Sequence, residues 1–132
     1  MASIEAQLQA ASSAYAKLET DYARAVESRQ RLDAQRTENE GVRKELANLT
    51  DSNSVYKLVG PILMKQDHVE ARTNVDKRLE WIAGEITRVE ASLKDLETKL
   101  ETKKMEIVHL QGQYQQQQQA APGGAPLSAM TA

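Results

Sequence analysis

The chain has 132 residues and a formal net charge of −2, and 27% of its residues are charged. A chain of this length favours a single domain. It contains one Trp, four Tyr and neither Phe nor Cys, which excludes disulfides, thiolate metal sites and a Cys nucleophile. Nucleic acid is disfavoured as the main partner, because phosphate binding needs clustered Lys and Arg.

The first segment, from about residue 3 to residue 50, carries apolar side chains at alternating steps of three and four residues. This is the heptad spacing of a coiled coil, so the segment is predicted to be one long helix. One seam position, a, is occupied by Leu8, Tyr15 and Tyr22. The other, d, is occupied by Ile4, Ala11, Leu18, Ala25, Leu32, Asn39 and Leu46.

The middle segment changes from a helical to a strand pattern. A cluster of turn residues at 51–54 precedes two short runs rich in strand-forming types, 55–59 and 62–66, separated by Gly60 and Pro61. Gly60 supplies the positive φ that a type II′ turn needs at its first central position, and Pro61 suits the second. Residues 55–66 are therefore predicted to form a β-hairpin.

The second segment is predicted to be a helix over residues 68–118. Asp67 followed by Glu70 resembles a capping box, and Thr73 followed by Asp76 is a competing start. Only Lys103 interrupts the heptad stripe, which consists of Val75, Leu79, Ile82, Ile86, Val89, Leu93, Leu96, Leu100, Ile107, Leu110 and Tyr114. After a glutamine run, residues 120–132 are rich in Pro, Gly and Ala and are expected to be disordered.

Two heptad arms joined by a hairpin predict a mainly α fold: an antiparallel two-helix coiled coil with a β-hairpin at the bend. Pairing about that bend places Leu18 near Leu100, Leu32 near Ile86, and Leu46 near Arg72. Neither a signal segment nor a membrane-spanning run is seen, so a cytoplasmic protein without a membrane partner is expected.

The hairpin needs a covering surface that the chain does not own, because two strands alone are marginal in water and both edges carry unpaired backbone groups. We therefore expect it to mediate oligomerisation by edge-to-edge pairing. The predicted assembly residues are Val55, Tyr56, Leu58, Val59, Gly60, Pro61, Ile62, Leu63 and Met64.

The two helix ends distant from the hairpin carry apolar side chains as well: Ile4, Leu8, Ala11, Tyr15, Ile107, Leu110 and Tyr114. Their spacing alone indicates coiled-coil core. Because helix ends fray at low free-energy cost, the same side chains could also contact varied apolar partners.

The order coiled coil, hairpin, coiled coil resembles a beta-type prefoldin subunit. The resemblance is carried by NSVYKLVGPILMKQ at 53–66, by VDKRLEWI at 75–82, and upstream by RLDAQ at 31–35 with TEN at 37–39. It covers most of residues 4–114, so residues 1–119 are assigned to one prefoldin-like domain.

The resemblance implies a specific function. Prefoldin family members form heterohexamers of alpha-type and beta-type subunits, whose hairpins build central β-barrels. Their coiled-coil tips capture unfolded polypeptides such as actin and tubulin without ATP, and the complex delivers them to the cytosolic group II chaperonin. For this chain the resemblance implies those partners, with the hairpin residues in assembly and the tip residues in client binding.

Nothing in the sequence supports an enzyme, a metal site or a cofactor. His68 and His109 have no Cys and no second His at ligand spacing, and no phosphate-binding glycine loop is present. The alternative to a chaperone subunit is a structural or tethering coiled coil in a cytoskeletal or trafficking complex. An apolar Gly-Pro hairpin at the bend argues against that alternative, because a plain spacer has no use for it.

Overall fold

The computed structural model describes residues 3–50 and 52–120. In chain order, the elements are α1 (Ile4–Ala47), β1 (Val55–Val59), β2 (Ile62–Gln66) and α2 (His68–Ala120). The predicted fold class is confirmed: two long helices are joined by an antiparallel hairpin. Helix α2 continues two residues beyond its predicted end at residue 118, so Ala120, which was expected to be disordered, is helical. Residues 121–132, the rest of the segment expected to be disordered, lie outside the described residues.

The chain divides into two compact units. The hairpin unit consists of residues 25–92 and contains the end of α1, both strands and the start of α2. The end unit consists of the described residues 3–24 and 93–120, which are the start of α1 and the rest of α2.

Helix α1 begins with a side-chain cap. The hydroxyl of Ser3 accepts a hydrogen bond from the backbone N–H of Ala6 at 3.1 Å, which satisfies a donor that has no partner within the helix. At the other end, Asn48 and Leu49 donate to the carbonyls of Glu45 and Leu46, which tightens the final turn. The helix therefore ends at Ala47, three residues before the predicted end.

The hairpin has the predicted two-residue turn. Val59 pairs with Ile62 and Val55 with Gln66, so Gly60 and Pro61 form a two-residue connection. Gly60 has a φ of 61°, in the region that only glycine adopts readily. The prediction that this position requires positive φ is confirmed.

Helix α2 begins at His68, directly after Asp67, so the competing start at Thr73 is wrong. The backbone N–H of Ala71 donates to the carbonyl of Asp67 at 2.9 Å, which closes the first turn. The imidazole Nε2 of His68 donates to the carbonyl of Asn53 at 2.7 Å. This bond fixes the start of α2 against the loop that enters β1.

The hairpin unit has its apolar cluster where both helices meet the hairpin. Leu46, Ala71 and Val75 are buried there, and Leu49, Val55 and Leu79 pack against them. The Arg72 guanidinium donates from Nε and Nη2 to the carbonyl of Leu46, at 3.2 and 3.0 Å. The contact predicted by pairing the arms about the bend is therefore present.

Farther along the hairpin unit, the two helices are joined by an ion pair. Nε and Nη2 of Arg29 lie 3.1 and 2.9 Å from Oε1 of Glu90. Arg29 occupies a seam position, where its stem is half-buried and its head reaches a carboxylate on the opposite helix. Ile82 is the most buried large side chain, at 1% exposed.

The end unit is also a pair of helical segments, and Ala11 and Leu110 are buried in it at 3% and 6% exposed. The Tyr22 hydroxyl donates to Oε1 of Glu97 on the other segment, at 3.0 Å. The ammonium of Lys103, the one cation in the second stripe, lies 2.8 Å from Oε2 of Glu106 on its own helix.

Candidate assembly and binding surfaces

The hairpin exposes apolar side chains on both of its faces. Side chains alternate along a strand, and the register places Tyr56, Leu58 and Leu63 on one face. Val59, Ile62 and Met64 lie on the opposite face. All six are exposed, and Leu58 reaches 68%. A two-stranded sheet with apolar residues on both faces leaves this surface in water unless other chains cover it.

The two outer edges of the hairpin also lack a partner. Within the described residues, β1 and β2 pair only with each other, so each strand has one edge whose backbone groups have no partner strand. Only Val55, at the start of β1, packs on the cluster beneath the hairpin. The predicted assembly residues therefore lie together on one short, apolar, two-edged sheet.

The predicted client-binding residues differ in exposure. Ala11 and Leu110 are buried between the helical segments of the end unit. The remaining five are half-buried, so part of each side chain reaches solvent: Ile4, Leu8, Tyr15, Ile107 and Tyr114. Only fraying of the helix ends would present all seven to a partner.

Two exposed apolar residues of the end unit were missed by the sequence analysis. Met105 is 62% exposed and Val108 is 55% exposed, and both lie outside the heptad stripe of α2. Their spacing of three residues places them on one face of the helix. Apolar residues between the seam positions were the signal that could have found them.

Residues 3–50 and 52–120 show neither a metal-binding cluster nor a membrane-spanning helix. These residues contain no group of three or more His, Asp or Glu side chains that could hold a metal ion. No helix among them is both long and apolar enough to cross a membrane. Among the described residues, the hydrogen bond to the Glu97 carboxylate, and then its negative charge, raise the pKa of Tyr22 above its usual value of 10.0.

The fold, with apolar side chains on both faces of the hairpin, defines a class of protein: coiled coils whose two helices are joined by a β-hairpin. The prefoldin beta subunit from Thermococcus strain KS-1 shares this fold, with a TM-score of 0.71 and 24% identity over 81% of this chain and 94% of that one. The prefoldin beta2 subunit of the same strain has a TM-score of 0.61, covering 69% of this chain and 97% of its own.

Sequence comparison shows the family. The family model described as "Prefoldin subunit" matches residues 5–119. Human prefoldin subunit 6 is 45% identical over 93% of this chain and 95% of its own length. Prefoldin subunit 6 of Arabidopsis thaliana is 42% identical, covering 75% of this chain and 77% of its own. The chain belongs to the prefoldin family and is similar to subunits of the type named prefoldin subunit 6.

Proposed function

We propose that this chain is a subunit of a hexameric, ATP-independent chaperone that captures unfolded polypeptides such as actin and tubulin. Its hairpin assembles with those of other alpha-type and beta-type prefoldin subunits, and the complex passes its clients to the cytosolic group II chaperonin. The chain works by binding and not by catalysis, and it acts in the cytoplasm.

The observation that carries the proposal is the exposure of both hairpin faces. Tyr56, Leu58 and Leu63 on one face and Val59, Ile62 and Met64 on the other need partner surfaces at the same time. Hairpins of neighbouring subunits satisfy the backbone groups by edge pairing and bury one face by barrel closure, and the other face contacts a further surface of the complex. This supports assembly over a spacer function, which has no need for such a surface.

Client capture is supported by the apolar side chains of the end unit. Met105 and Val108 already face solvent, and the half-buried Ile4, Leu8, Tyr15, Ile107 and Tyr114 need only local fraying. Methionine suits a surface that must accept varied partners, because its unbranched side chain adapts its shape. Ala11 and Leu110 contribute only when the ends separate.

The test is reconstitution of the complex from this chain and its partner subunits, followed by a light-scattering assay of denatured actin without ATP. We expect the complex to suppress aggregation at stoichiometric concentration. Deleting residues 1–14 and 107–132 should weaken suppression, while gel filtration shows an unchanged complex. Unchanged suppression after trimming would mean that the tips are not the client site.

A second measurement separates the chaperone from a tether. Native purification of the tagged chain should recover five other prefoldin subunits in near-equal amounts, together with chaperonin subunits. Recovery with only a filament, motor or membrane-tether protein would contradict the chaperone function.

A further inference from the structure

The only Trp of the chain lies on the surface of the hairpin unit. Trp81 is on α2 and is 59% exposed, although the next residue, Ile82, is only 1% exposed. Tryptophan is enriched at binding surfaces, because its large ring offers much apolar contact at low conformational cost. What Trp81 can bind is determined by the side chains around it.

Trp81 lines two adjoining depressions, of about 480 and 310 Å³. A third depression, of about 480 Å³, continues to the base of the hairpin, where Lys57 lines it beside Tyr56, a residue of the proposed subunit interface. Val42 and Arg78 are shared between the first and the third, and Gln35 and Trp81 between the first and the second. We call these joined depressions the Trp81 groove.

The Trp81 groove is long enough for an extended peptide. Its lining on α2 runs from Ala71 to Val89, about 27 Å at the helical rise of 1.5 Å per residue. An extended chain covers that distance with about eight residues. Val42 is also exposed and lines the groove beside Trp81, so the apolar contact area has residues from both helices.

The charges of the groove differ in sign from that of the whole chain. Three cations line it, Lys57, Arg78 and Arg31, and within the described residues none of them forms an ion pair. Of its two carboxylates, Glu38 and Glu85, the second is paired with Arg88 outside the groove. The groove is therefore net cationic, whereas the chain carries −2.

We propose that the Trp81 groove binds extended segments of unfolded polypeptides in which an aromatic or aliphatic side chain is flanked by Asp or Glu. This inference rests on the proposed client-capture function and names the client chemistry that this subunit takes. Trp81 and Val42 contact the apolar side chain. Arg78, which lines the same depression as Trp81, donates to the adjacent carboxylate.

The first test uses Trp81 as its own reporter in the assembled complex. This subunit is labelled with 5-fluorotryptophan and reconstituted with unlabelled partners, so the fluorine NMR signal comes from Trp81 alone. The probe is a synthetic peptide of about eight residues with Leu and Phe at its centre and Asp on both sides. A matched peptide carries Lys in place of Asp.

We expect a solvent-exposed fluorine signal in the empty complex, which shifts and loses solvent exposure when the Asp peptide is added. A signal already protected in the empty complex would overturn the proposal, because a neighbouring subunit would then cover the groove. An exposed signal that saturating Asp peptide does not change would overturn it as well.

Charge reversal tests the selectivity. Arg78→Glu should weaken binding of the Asp peptide about tenfold or more and strengthen binding of the Lys peptide, as expected for loss of a charge-assisted hydrogen bond. The control is Lys77→Glu, which makes the same charge change at the neighbouring residue, outside the groove lining. It should change neither affinity by more than about twofold.

Removal of the Trp81 ring tests the apolar contact. Trp81→Ala should weaken binding of both peptides, whereas Val69→Ala, an exposed residue of α2 outside the groove, should not. If Trp81→Ala and Arg78→Glu leave peptide binding unchanged while tip trimming reduces actin capture, the groove inference is wrong and the proposed function stands. If the intact complex captures no denatured actin, the proposed function is wrong and the inference falls with it.

Discussion

The hydrogen bond from Tyr22 to Glu97 changes the pKa of the Tyr22 phenol. Its hydroxyl donates to the Glu97 carboxylate, and ionisation of the phenol would both remove the donor and place two negative charges together. These two effects, the hydrogen bond first, raise the pKa of Tyr22 above its ordinary value of 10.0. The contribution of the bond to stability is present below pH 10.0 and is lost as pH rises through the folded-state pKa.

We therefore expect Tyr22 to ionise above pH 10.0 in the folded chain. The measurement is the tyrosinate absorbance titration of the wild type minus that of Tyr22→Phe. In a Glu97→Gln control, an amide oxygen can still accept the bond but the charge is gone, so the pKa should move back toward 10.0. Ionisation of wild-type Tyr22 at or below pH 10.0 would contradict the assignment.

Ile82 and Trp81 are neighbours with opposite environments. Ile82→Ala should lower the free energy of unfolding by about 2–5 kcal/mol, because the buried side chain leaves a cavity between the helices. Trp81→Ala should change it by less than about 1 kcal/mol, since the ring is mostly in water. Urea unfolding of the reconstituted complex, followed by circular dichroism, compares the two. Equal losses would mean that Trp81 is part of the core.

At the scale of the elements, the hairpin depends on one backbone angle. Gly60 has a φ of 61°, and a Cβ there is strained even though no atom lies within 4 Å of its position. Gly60→Ala should therefore destabilise the hairpin by about 1–2 kcal/mol and weaken assembly. Thermal unfolding and gel filtration of the reconstituted complex measure the two effects.

The matched control is Gly84→Ala in helix α2. An added Cβ meets no atom within 4 Å there, and the backbone is helical. Alanine is a better helix former, so this variant should gain up to about 1 kcal/mol. The same chemical change thus has opposite signs at the two positions. A stabilising Gly60→Ala would mean that the turn adopts another conformation.

The two long helices have more stabilising contacts within the chain than the hairpin has. Within the hairpin unit, α1 and α2 are joined by contacts such as Arg29 with Glu90 and Arg72 with the Leu46 carbonyl. The hairpin has only the cluster at its base. Its stability is therefore expected to depend on assembly more than that of either helix.

At the scale of the whole molecule, assembly is predicted to require the apolar faces of the hairpin. A double variant, Leu58→Asp with Leu63→Asp, places two like charges opposite each other on one face. It should be absent from the reconstituted complex in gel filtration, while circular dichroism shows the helices retained. Val69→Asp, which changes an exposed residue outside the hairpin, should still assemble. Incorporation of the double variant would exclude this face from the interface.

The sequence by itself determined the elements of this protein. Heptad spacing predicted both helices because a narrow apolar stripe repeats wherever two helices share a seam, and Gly60-Pro61 predicted the turn because the required φ is a local property. Helix α1 ends three residues before its predicted end, because the backbone N–H groups of Asn48 and Leu49 donate to carbonyls of its last turn.

Only the tertiary structure decided which apolar side chains stay in water. Val42 lies one helical turn before Leu46 on α1, yet Val42 is exposed and Leu46 is buried. Trp81 is exposed beside the buried Ile82, and Val108 is exposed beside the half-buried Ile107. One residue turns a helix by about 100°, so the exposure of an apolar side chain such as Val42 depends on where the opposite helix lies.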